Sequence, residues 1–337
     1  MAILPIFIPH GGCPHQCSFC NQRAISGQAA PPLEGAKAQL QQWQTYLQGK
    51  GHELAFYGGS FTALDLGLQE QLLQLVEPLY RSGFLSSLRA STRPDAITDK
   101  GLQLLKKYHV QTVELGVQSL DEKVLKASQR GHNAACVSGA VRLLREAGLI
   151  VGVQLMVGLP EQGFASFKET ITKVLALKPD LARIYPVLVI KDTPLEKMYY
   201  KGVFVPLSLE EAVTQAAYGY RTMTEAGIKV IRIGLQADGE LCAPGNIVAG
   251  PFHPAMGELV KSRALRNAID LALQEIQEQG QTKVVIKHLP ALTSQVRGQK
   301  NANMLYWQQS FPTLNISLMA VEKLALTGAA GWEVCIG

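Results

Sequence analysis

The chain has 337 residues, of which 47% are hydrophobic, and a formal net charge of +5. This length allows one large domain and a small one, and the mild charge does not by itself indicate a nucleic-acid partner. No apolar run reaches the roughly eighteen residues that span a bilayer. Because the opening MAILPIFIPHGG lacks the features of a signal peptide, we expect a cytoplasmic protein without membrane contact.

Residues 1–205 alternate β-rich runs with amphipathic helical stretches. The predicted strands are LPIFIPH, ELAFYGG, SLRASTR, TVELGVQ, LIVGVQLMVGLP and LARIYPVLVI. Near-continuous apolar strands separated by helices are typical of a parallel sheet covered by helices. Six such units are two short of a closed eightfold barrel. The pattern therefore predicts an α/β fold, an open, partial (β/α)6 TIM-like barrel.

A second region, residues 206–337, is predicted to form a small α/β C-terminal extension. It opens with a helix that has a capping box from Ser208 to Glu211. The strand KVIRIGLQ, a long loop rich in Gly and Pro, and the helix RALRNAIDLALQEIQEQG follow. TKVVIKHLP and LNISLMAVEKL are further strands. We expect this extension to hold the substrate-specificity region.

Polar or glycine-rich residues follow nearly every predicted strand of the barrel. In parallel α/β folds the functional sites gather at the carboxyl ends of the strands. We therefore expect a site built from many strands. The candidate segments are Gly11 to Cys20, Gly58 to Ser60, Ser91 to Arg93, Gln118, Gly158 to Pro160, and Tyr185.

The first of these segments contains Cys13, Cys17 and Cys20 within eight residues. A tetrahedral zinc site would need a fourth ligand, for which His10 and His15 are candidates. A redox pair would use Cys17 and Cys20 and leave Cys13 unexplained. An iron–sulfur cluster held by three thiolates keeps one iron open and is the preferred interpretation. The remaining cysteines are isolated in the sequence, and their role is open: Cys136, Cys242 and Cys335.

The stretch Cys13-x3-Cys17-x-Phe19-Cys20 resembles the CxxxCxxC signature of radical S-adenosylmethionine (SAM) enzymes, including the aromatic residue before the third cysteine. The resemblance implies a [4Fe–4S] cluster on the three cysteines, with SAM bound to the open iron and Phe19 beside it. In that family the reduced cluster cleaves SAM to a 5′-deoxyadenosyl radical, which abstracts hydrogen from a substrate. The implied electron donor is a flavodoxin or ferredoxin.

Later motifs extend the resemblance across residues 6–190. Gly58, Gly59 and Ser60 resemble the family's glycine motif, which binds the amino group of SAM. Ser91 stands where related enzymes place a polar residue on the ribose or carboxylate.

VELGVQSLDEKVLKASQRGH resembles a stretch of oxygen-independent coproporphyrinogen oxidases and of the Elongator catalytic-subunit family. By that resemblance Gln118 contacts the ribose and Arg130 the SAM carboxylate. Gln154, on the fifth strand, stands where some relatives carry a ribose ligand. By the same resemblance, Tyr185 flanks the space for the adenine and the substrate. It either forms part of the wall of that space or takes part in catalysis.

RASTRPDAI, IYPVLVIKDTPL and SLEEAV together resemble the branch that contains the Elongator catalytic subunit, which modifies the wobble uridine of transfer RNA (tRNA). The compact cysteine spacing departs from that type, and 337 residues leave no space for its acetyltransferase domain. The substrate therefore stays open between a tRNA and a small molecule. Alternatives are a coproporphyrinogen-type oxidoreductase and a non-catalytic iron–sulfur sensor or scaffold. Substrate-channel candidates in the tail are His253, Lys261, Arg263, Arg297, Lys300 and Asn301. Tyr306 and Trp307 are candidates for stacking on a base.

Overall fold

The computed structural model describes residues 2–27, 30–236, 239, 241–324 and 331–336. The chain forms two compact units. Unit 1 consists of Met1–Ala212 and Thr222–Pro254, and unit 2 of Val213–Arg221 and Ala255–Gly337. Within the part of the chain that the structure describes, no helix combines the length and apolar character needed to cross a bilayer.

Unit 1 is built around a parallel sheet. Its strands are β1 (Ile3–Phe7), β2 (His52–Tyr57), β3 (Leu85–Thr92), β4 (Val110–Gln118), β5 (Ile150–Val157), β6 (Leu181–Pro186), β7 (Val189–Ile190), β8 (Lys229–Ile233) and β9 (Ile247–Ala249). Seven of these described strands pair in the order β1-β2-β3-β4-β5-β6-β8, each parallel to its neighbour. Because β1 and β8 are the two edges, the barrel is open. The predicted fold class and its six strands are confirmed.

The helices of unit 1 connect these strands. They are α1 (Gln22–Ser26), α2 (Pro32–Tyr46), α3 (Leu66–Arg81), α4 (Asp99–Lys107), α5 (Glu122–Ala127), α6 (Ala134–Glu146), α7 (Phe164–Leu177), α8 (Pro194–Tyr200) and α9 (Leu209–Glu225), whose middle belongs to unit 2. Side-chain caps start several of them, as when Asn133 accepts from the third residue of α6. The predicted capping box from Ser208 to Glu211 is present.

The barrel sheet continues beyond residue 205. The strand KVIRIGLQ, predicted as part of the extension, forms β8 and pairs with β6. In the sequence, a capped helix followed by a short strand can start a new domain or add one more unit to the barrel. The local pattern is the same in both cases. The segment predicted as a long loop after β8 contains β9, which pairs with β7.

Unit 2 is a small α/β unit. Its elements are α10 (Met256–Glu278), β10 (Lys283–His288), α11 (Thr293–Arg297), α12 (Ala302–Ser310), β11 (Asn315–Ala320) and β12 (Trp332–Ile336). β10 is central, parallel to β11 and antiparallel to β12. Its buried core includes Ile269, Leu273 and Trp307. The predicted extension is confirmed as a fold, whereas its role in substrate specificity stays a prediction.

One face of the barrel sheet carries polar and charged side chains. Residues paired across parallel strands share a face, and every second residue of a strand returns to it. By this register the face, called the inner face below, includes Glu114 of β4, Gln154 of β5 and Arg183 of β6. A register shift between Ala182 and Arg183 brings Arg232 of β8 opposite Arg183. The opposite face is apolar, with buried residues such as Val153 on β5, and suits helix packing.

Candidate active site

The three clustered cysteines lie on the loop between β1 and α1. Cys17 is buried, whereas residues 14–16 are exposed. The backbone N–H of Ser18 donates to the Ser128 carbonyl at 3.1 Å, and the Ser18 carbonyl accepts from the Leu195 N–H at 2.8 Å. The middle of the loop is therefore held in place by two later segments of the chain.

The thiols of this loop influence one another. Burial, and then the neighbouring thiols of Cys17 and Cys13, raise the pKa of Cys20 to about 12. Burial and Cys17 also raise the pKa of Cys13, and the guanidinium groups of Arg93 and Arg130 oppose that shift. Such mutual effects arise only between groups that lie close together. Clustered, soft sulfur donors beside two cations suit an iron–sulfur cluster, whose ligands are thiolates.

The histidines considered as a fourth zinc ligand have other contacts. His10 Nε2 accepts from the backbone N–H of Gln22 at 3.2 Å. The ring of His15 lies against Gly131, where an added Cβ would be 2.1 Å from a ring carbon. Among the residues that the structure describes, no three His, Cys, Asp or Glu side chains form a single-ion site. The zinc alternative thus gains no support. A cubane cluster does not need its thiolates as close together as a single zinc ion does, because several irons separate them.

The Gly58-Gly59-Ser60 loop packs backbone to backbone against the cysteine loop. The Ser60 N–H donates to the Gly11 carbonyl at 2.7 Å, and a Cβ at Gly59 would lie 2.1 Å from the same oxygen. The Ser60 hydroxyl accepts from the backbone N–H of Arg93 at 3.1 Å. The packing of the two loops therefore by itself requires glycine at position 59. The contact of Gly59 with SAM stays a prediction.

Gly59→Ala is expected to lower the free energy of unfolding by about 1–3 kcal/mol and to reduce iron retention, because the new methyl group meets backbone atoms that have no room to move. The midpoint of urea unfolding and the iron content measure the two effects. The control is Gly139→Ala on α6, where a Cβ meets open space and stability should rise by about 0.5–1 kcal/mol. Equal midpoints for the two variants would contradict the packing argument.

Arg130 lies beside Cys17, and both Arg130 and Gln118 approach the backbone of Gly116. Arg130 Nη1 donates to Cys17 Sγ at 3.1 Å, and Nη2 donates to the Gly116 carbonyl. Arg130 Nε and Gln118 Oε1 are buried and have no partner among the described residues. Buried polar atoms are nearly always paired, so two orphaned ones beside a cysteine indicate a place for a polar ligand. Phe19, predicted to lie beside SAM, packs against a buried apolar cluster of unit 1.

The structure places the predicted residues Ser91, Gln154 and Tyr185 in one hydrogen-bonded network. Gln154 Nε2 donates to Ser91 Oγ at 2.9 Å and to Glu114 Oε2 at 3.2 Å. The Tyr185 hydroxyl accepts from Arg183 Nη1 at 3.3 Å. These three residues thus belong to the inner face, and their contacts with SAM or substrate stay predictions.

At the centre of this network are four buried charges. Arg89 Nη2 donates to both carboxylate oxygens of Glu53 at 2.8 and 2.9 Å, and its Nη1 donates to Glu114 at 2.8 Å. Arg183 Nη2 donates to Glu114 at 2.9 Å, and the Tyr57 hydroxyl donates to the same oxygen at 3.2 Å. All four charged side chains are at least nine-tenths buried.

The pKa shifts in the network follow from its burial and its charges. Burial by itself raises the pKa of Glu114, but the neighbouring Arg183 and Arg89 outweigh it and hold the pKa below its usual range. Burial raises the pKa of Tyr57 and of Tyr185. Glu114 is therefore ionised and both phenols are neutral at physiological pH.

Sequence reasoning missed this network. A usable signal was present, because charged residues are rarely fully buried unless they are paired. Single charged residues interrupt strands that otherwise read as buried on both faces, and each should have indicated a partner on a neighbouring strand. They are Glu53, Arg89, Glu114 and Arg183.

One tail candidate is excluded by its position in unit 2. Trp307 is fully buried and its Nε1 donates to Asp270 at 2.7 Å, so it cannot stack on a nucleic-acid base. Tyr306 is partly buried, and the Arg266 guanidinium lies 3.9 Å from its ring centroid. Aromatic residues in a small unit are needed for its core, which explains the position of Trp307.

Two family models match consecutive parts of the chain. The Radical SAM superfamily model matches residues 7–174, and the Radical_SAM C-terminal domain model matches residues 179–266. The chain belongs to the radical SAM superfamily. It is therefore a radical SAM enzyme, and its cofactors are a [4Fe–4S] cluster and SAM.

Curated relatives of this radical SAM enzyme include a tRNA uridine(34) acetyltransferase of Methanocaldococcus infernus, 28% identical over 77% of this chain and 55% of that protein. The oxygen-independent coproporphyrinogen-III oxidase-like protein HemZ of Bacillus subtilis is 28% identical over 53% of this chain and 38% of that protein. The chain thus spans about half the length of its first relative. The solved structure of Methanocaldococcus infernus Elp3 with an N-terminal deletion has a TM-score of 0.62 at 24% identity, covering 83% of this chain and 63% of that chain.

The residues present fit both cofactors. Cys13, Cys17 and Cys20 supply the thiolate donor set of a three-ligand cluster. Beside them, Arg130 Nε and Gln118 Oε1 offer an unused donor and an unused acceptor. SAM carries a carboxylate, an amino group and a ribose, so it has the polar groups that such orphaned atoms need.

Proposed function

We propose that this radical SAM enzyme abstracts hydrogen from a nucleoside of tRNA. The observation that carries the proposal is the 28% identity, over 77% of the chain, to a protein named tRNA uridine(34) acetyltransferase. The radical step alone is proposed, because the chain spans only 55% of that relative. A flavodoxin or ferredoxin is the proposed electron donor.

In this proposal the cysteine loop and its neighbours hold the cofactors. Cys13, Cys17 and Cys20 bind the cluster as thiolates, so each thiol loses its proton on loading. Arg130 stabilises the Cys17 thiolate through its N–H···S contact, and with Gln118 it binds polar groups of SAM. When bound, the cluster and SAM supply reductive cleavage of the sulfonium and abstraction of a hydrogen atom.

The inner face forms the substrate wall in this proposal. The carbon of the Arg183 guanidinium lies 5.0 Å from the centroid of the Tyr57 ring, which fixes the orientation of that ring. Tyr185 and Gln154 are held by hydrogen bonds to the same network. A rigid wall with aromatic and polar groups suits a flat, polar nucleobase, which stacks on rings and donates and accepts hydrogen bonds.

The test is the release of 5′-deoxyadenosine by anaerobically reconstituted, reduced enzyme, with and without bulk tRNA. Release that rises severalfold with tRNA, and that disappears in Cys20→Ala, is expected. Nuclease-digested tRNA serves as a control for intact RNA. Release that depends on Cys20 but ignores tRNA would contradict the RNA substrate.

That second outcome would favour a small-molecule substrate. The match to a coproporphyrinogen-III oxidase-like protein supports this alternative, although it covers only 53% of the chain. No release from protein that retains its cluster would contradict catalysis and favour the iron–sulfur sensor.

A further inference from the structure

Arg232 of β8 lies on the inner face at the edge of the barrel sheet. Its Cα pairs with that of Arg183 on β6, directly after a register shift between Ala182 and Arg183. The positive charge of Arg232 is close enough to Tyr185 to oppose the upward pKa shift that burial causes in that phenol. Arg232 therefore lies beside the Arg183–Tyr185 part of the network.

Arg232 adds a positive charge to this face that no described carboxylate balances. Glu53 and Glu114 balance Arg89 and Arg183, so these four charges sum to zero. Arg232 Nε donates to the Gly234 carbonyl at 3.2 Å, which orients the guanidinium. Throughout the described ranges, no carboxylate pairs with Arg232. Both of its terminal nitrogens are therefore available to a ligand.

Tyr185 provides a second unused donor. Its hydroxyl oxygen accepts from Arg183, and no described residue accepts its hydroxyl hydrogen. Because burial raises its pKa, the phenol keeps that hydrogen at physiological pH. The two donors are a fixed guanidinium and a neutral phenol. They lie near the carboxyl ends of β6 and β8, where this architecture holds its active sites.

We propose that Arg232 and Tyr185 form a binding site for an anionic oxygen group of the substrate, which in the proposed RNA substrate is a backbone phosphate. The guanidinium matches the geometry of phosphate and carboxylate oxygens, and an anion would balance the excess charge. In a half-buried position this attraction is weakened less by salt than at an open surface. The RNA form of this inference rests on the proposed function; the anion site itself does not.

The first experiment measures the binding of bulk tRNA to the anaerobic holoenzyme at several salt concentrations. Arg232→Gln should weaken binding about tenfold and reduce the slope of log affinity against log salt by about one, the value for one lost phosphate contact. Arg232→Lys should keep the slope and lose part of the affinity. Tyr185→Phe should weaken binding without changing the slope, because it removes a hydrogen bond and no charge.

The control is Arg142→Gln, which removes an exposed arginine of α6 that pairs with Glu146. It should change neither affinity nor slope. The second experiment needs no RNA: the ³¹P line width of inorganic phosphate is measured with oxidised holoenzyme. Broadening is expected with the natural protein and should be largely lost in Arg232→Gln.

The two experiments separate this inference from the proposed function. If tRNA binds neither protein and Arg232→Gln abolishes phosphate broadening, the anion site stands and the RNA substrate is wrong. If Arg232→Gln changes neither the tRNA slope nor the phosphate line width, the anion site is wrong whatever the substrate.

Discussion

Cys20→Ala is expected to leave the reconstituted enzyme without its cluster and without detectable 5′-deoxyadenosine release. Three thiolates are the protein's full contribution to a cluster that keeps one iron for SAM, so the loss of one leaves a second iron without a protein ligand. Iron content, the visible absorption of the cluster and product release measure the effect. Cys13→Ala should behave in the same way, although it lies outside the CxxC pair.

The Cys13 variant also discriminates between mechanisms. A dithiol reductase that uses Cys17 and Cys20 would keep full activity without Cys13. The matched control is Cys136→Ala, which removes a partly exposed thiol from α6 and should keep both iron and activity. Retention of a normal cluster in either Cys13→Ala or Cys20→Ala would refute the three-ligand site.

Glu114→Ala is expected to lower the free energy of unfolding by about 3–5 kcal/mol, because it leaves Arg183 without its carboxylate partner in the barrel interior, while Arg89 keeps Glu53. Only 1% of the Glu114 side chain is exposed, so water cannot replace the carboxylate. The midpoint of urea unfolding of the anaerobic holoenzyme measures the change. Glu146→Ala, which breaks an exposed pair on α6, should shift stability by less than about 1 kcal/mol.

The same network predicts a response to acid. The folded pKa of Glu114 is depressed, so its contribution to stability is present above the unfolded pKa, near 4.3, and is lost as pH falls through the folded value. Glu114→Gln removes that titration. Its stability should therefore fall less steeply than that of the natural protein below about pH 4. Parallel acid curves for the two proteins would contradict the buried ion pairs.

The sequence was most informative where a pattern is local. Thiol spacing, glycine pairs and apolar strands depend on neighbours within a few residues, so Cys13, Cys17 and Cys20 and the six strands could be predicted. The packing of Gly59 on Gly11 could not be predicted, because it depends on two loops that only the folded sheet brings together.

The charge network shows a different limit. Glu53, Arg89, Glu114 and Arg183 lie on four strands, and a single strand shows one charge without its partner. Which charges pair depends on strand order and register, and a shift of one residue would turn each side chain to the other face. Arg232 was missed for a related reason: its strand was assigned to the extension and not to the barrel.

The attachment of Ser18 to Ser128 and Leu195 has a consequence for biosynthesis. The three cysteines emerge from the ribosome before Ser128 and Leu195, which fasten their loop. During that interval the thiols belong to a nascent chain that has not yet folded, because a domain folds as a unit once its segments have been synthesised. We therefore expect delivery of iron and sulfide to follow translation of α8, which carries Leu195.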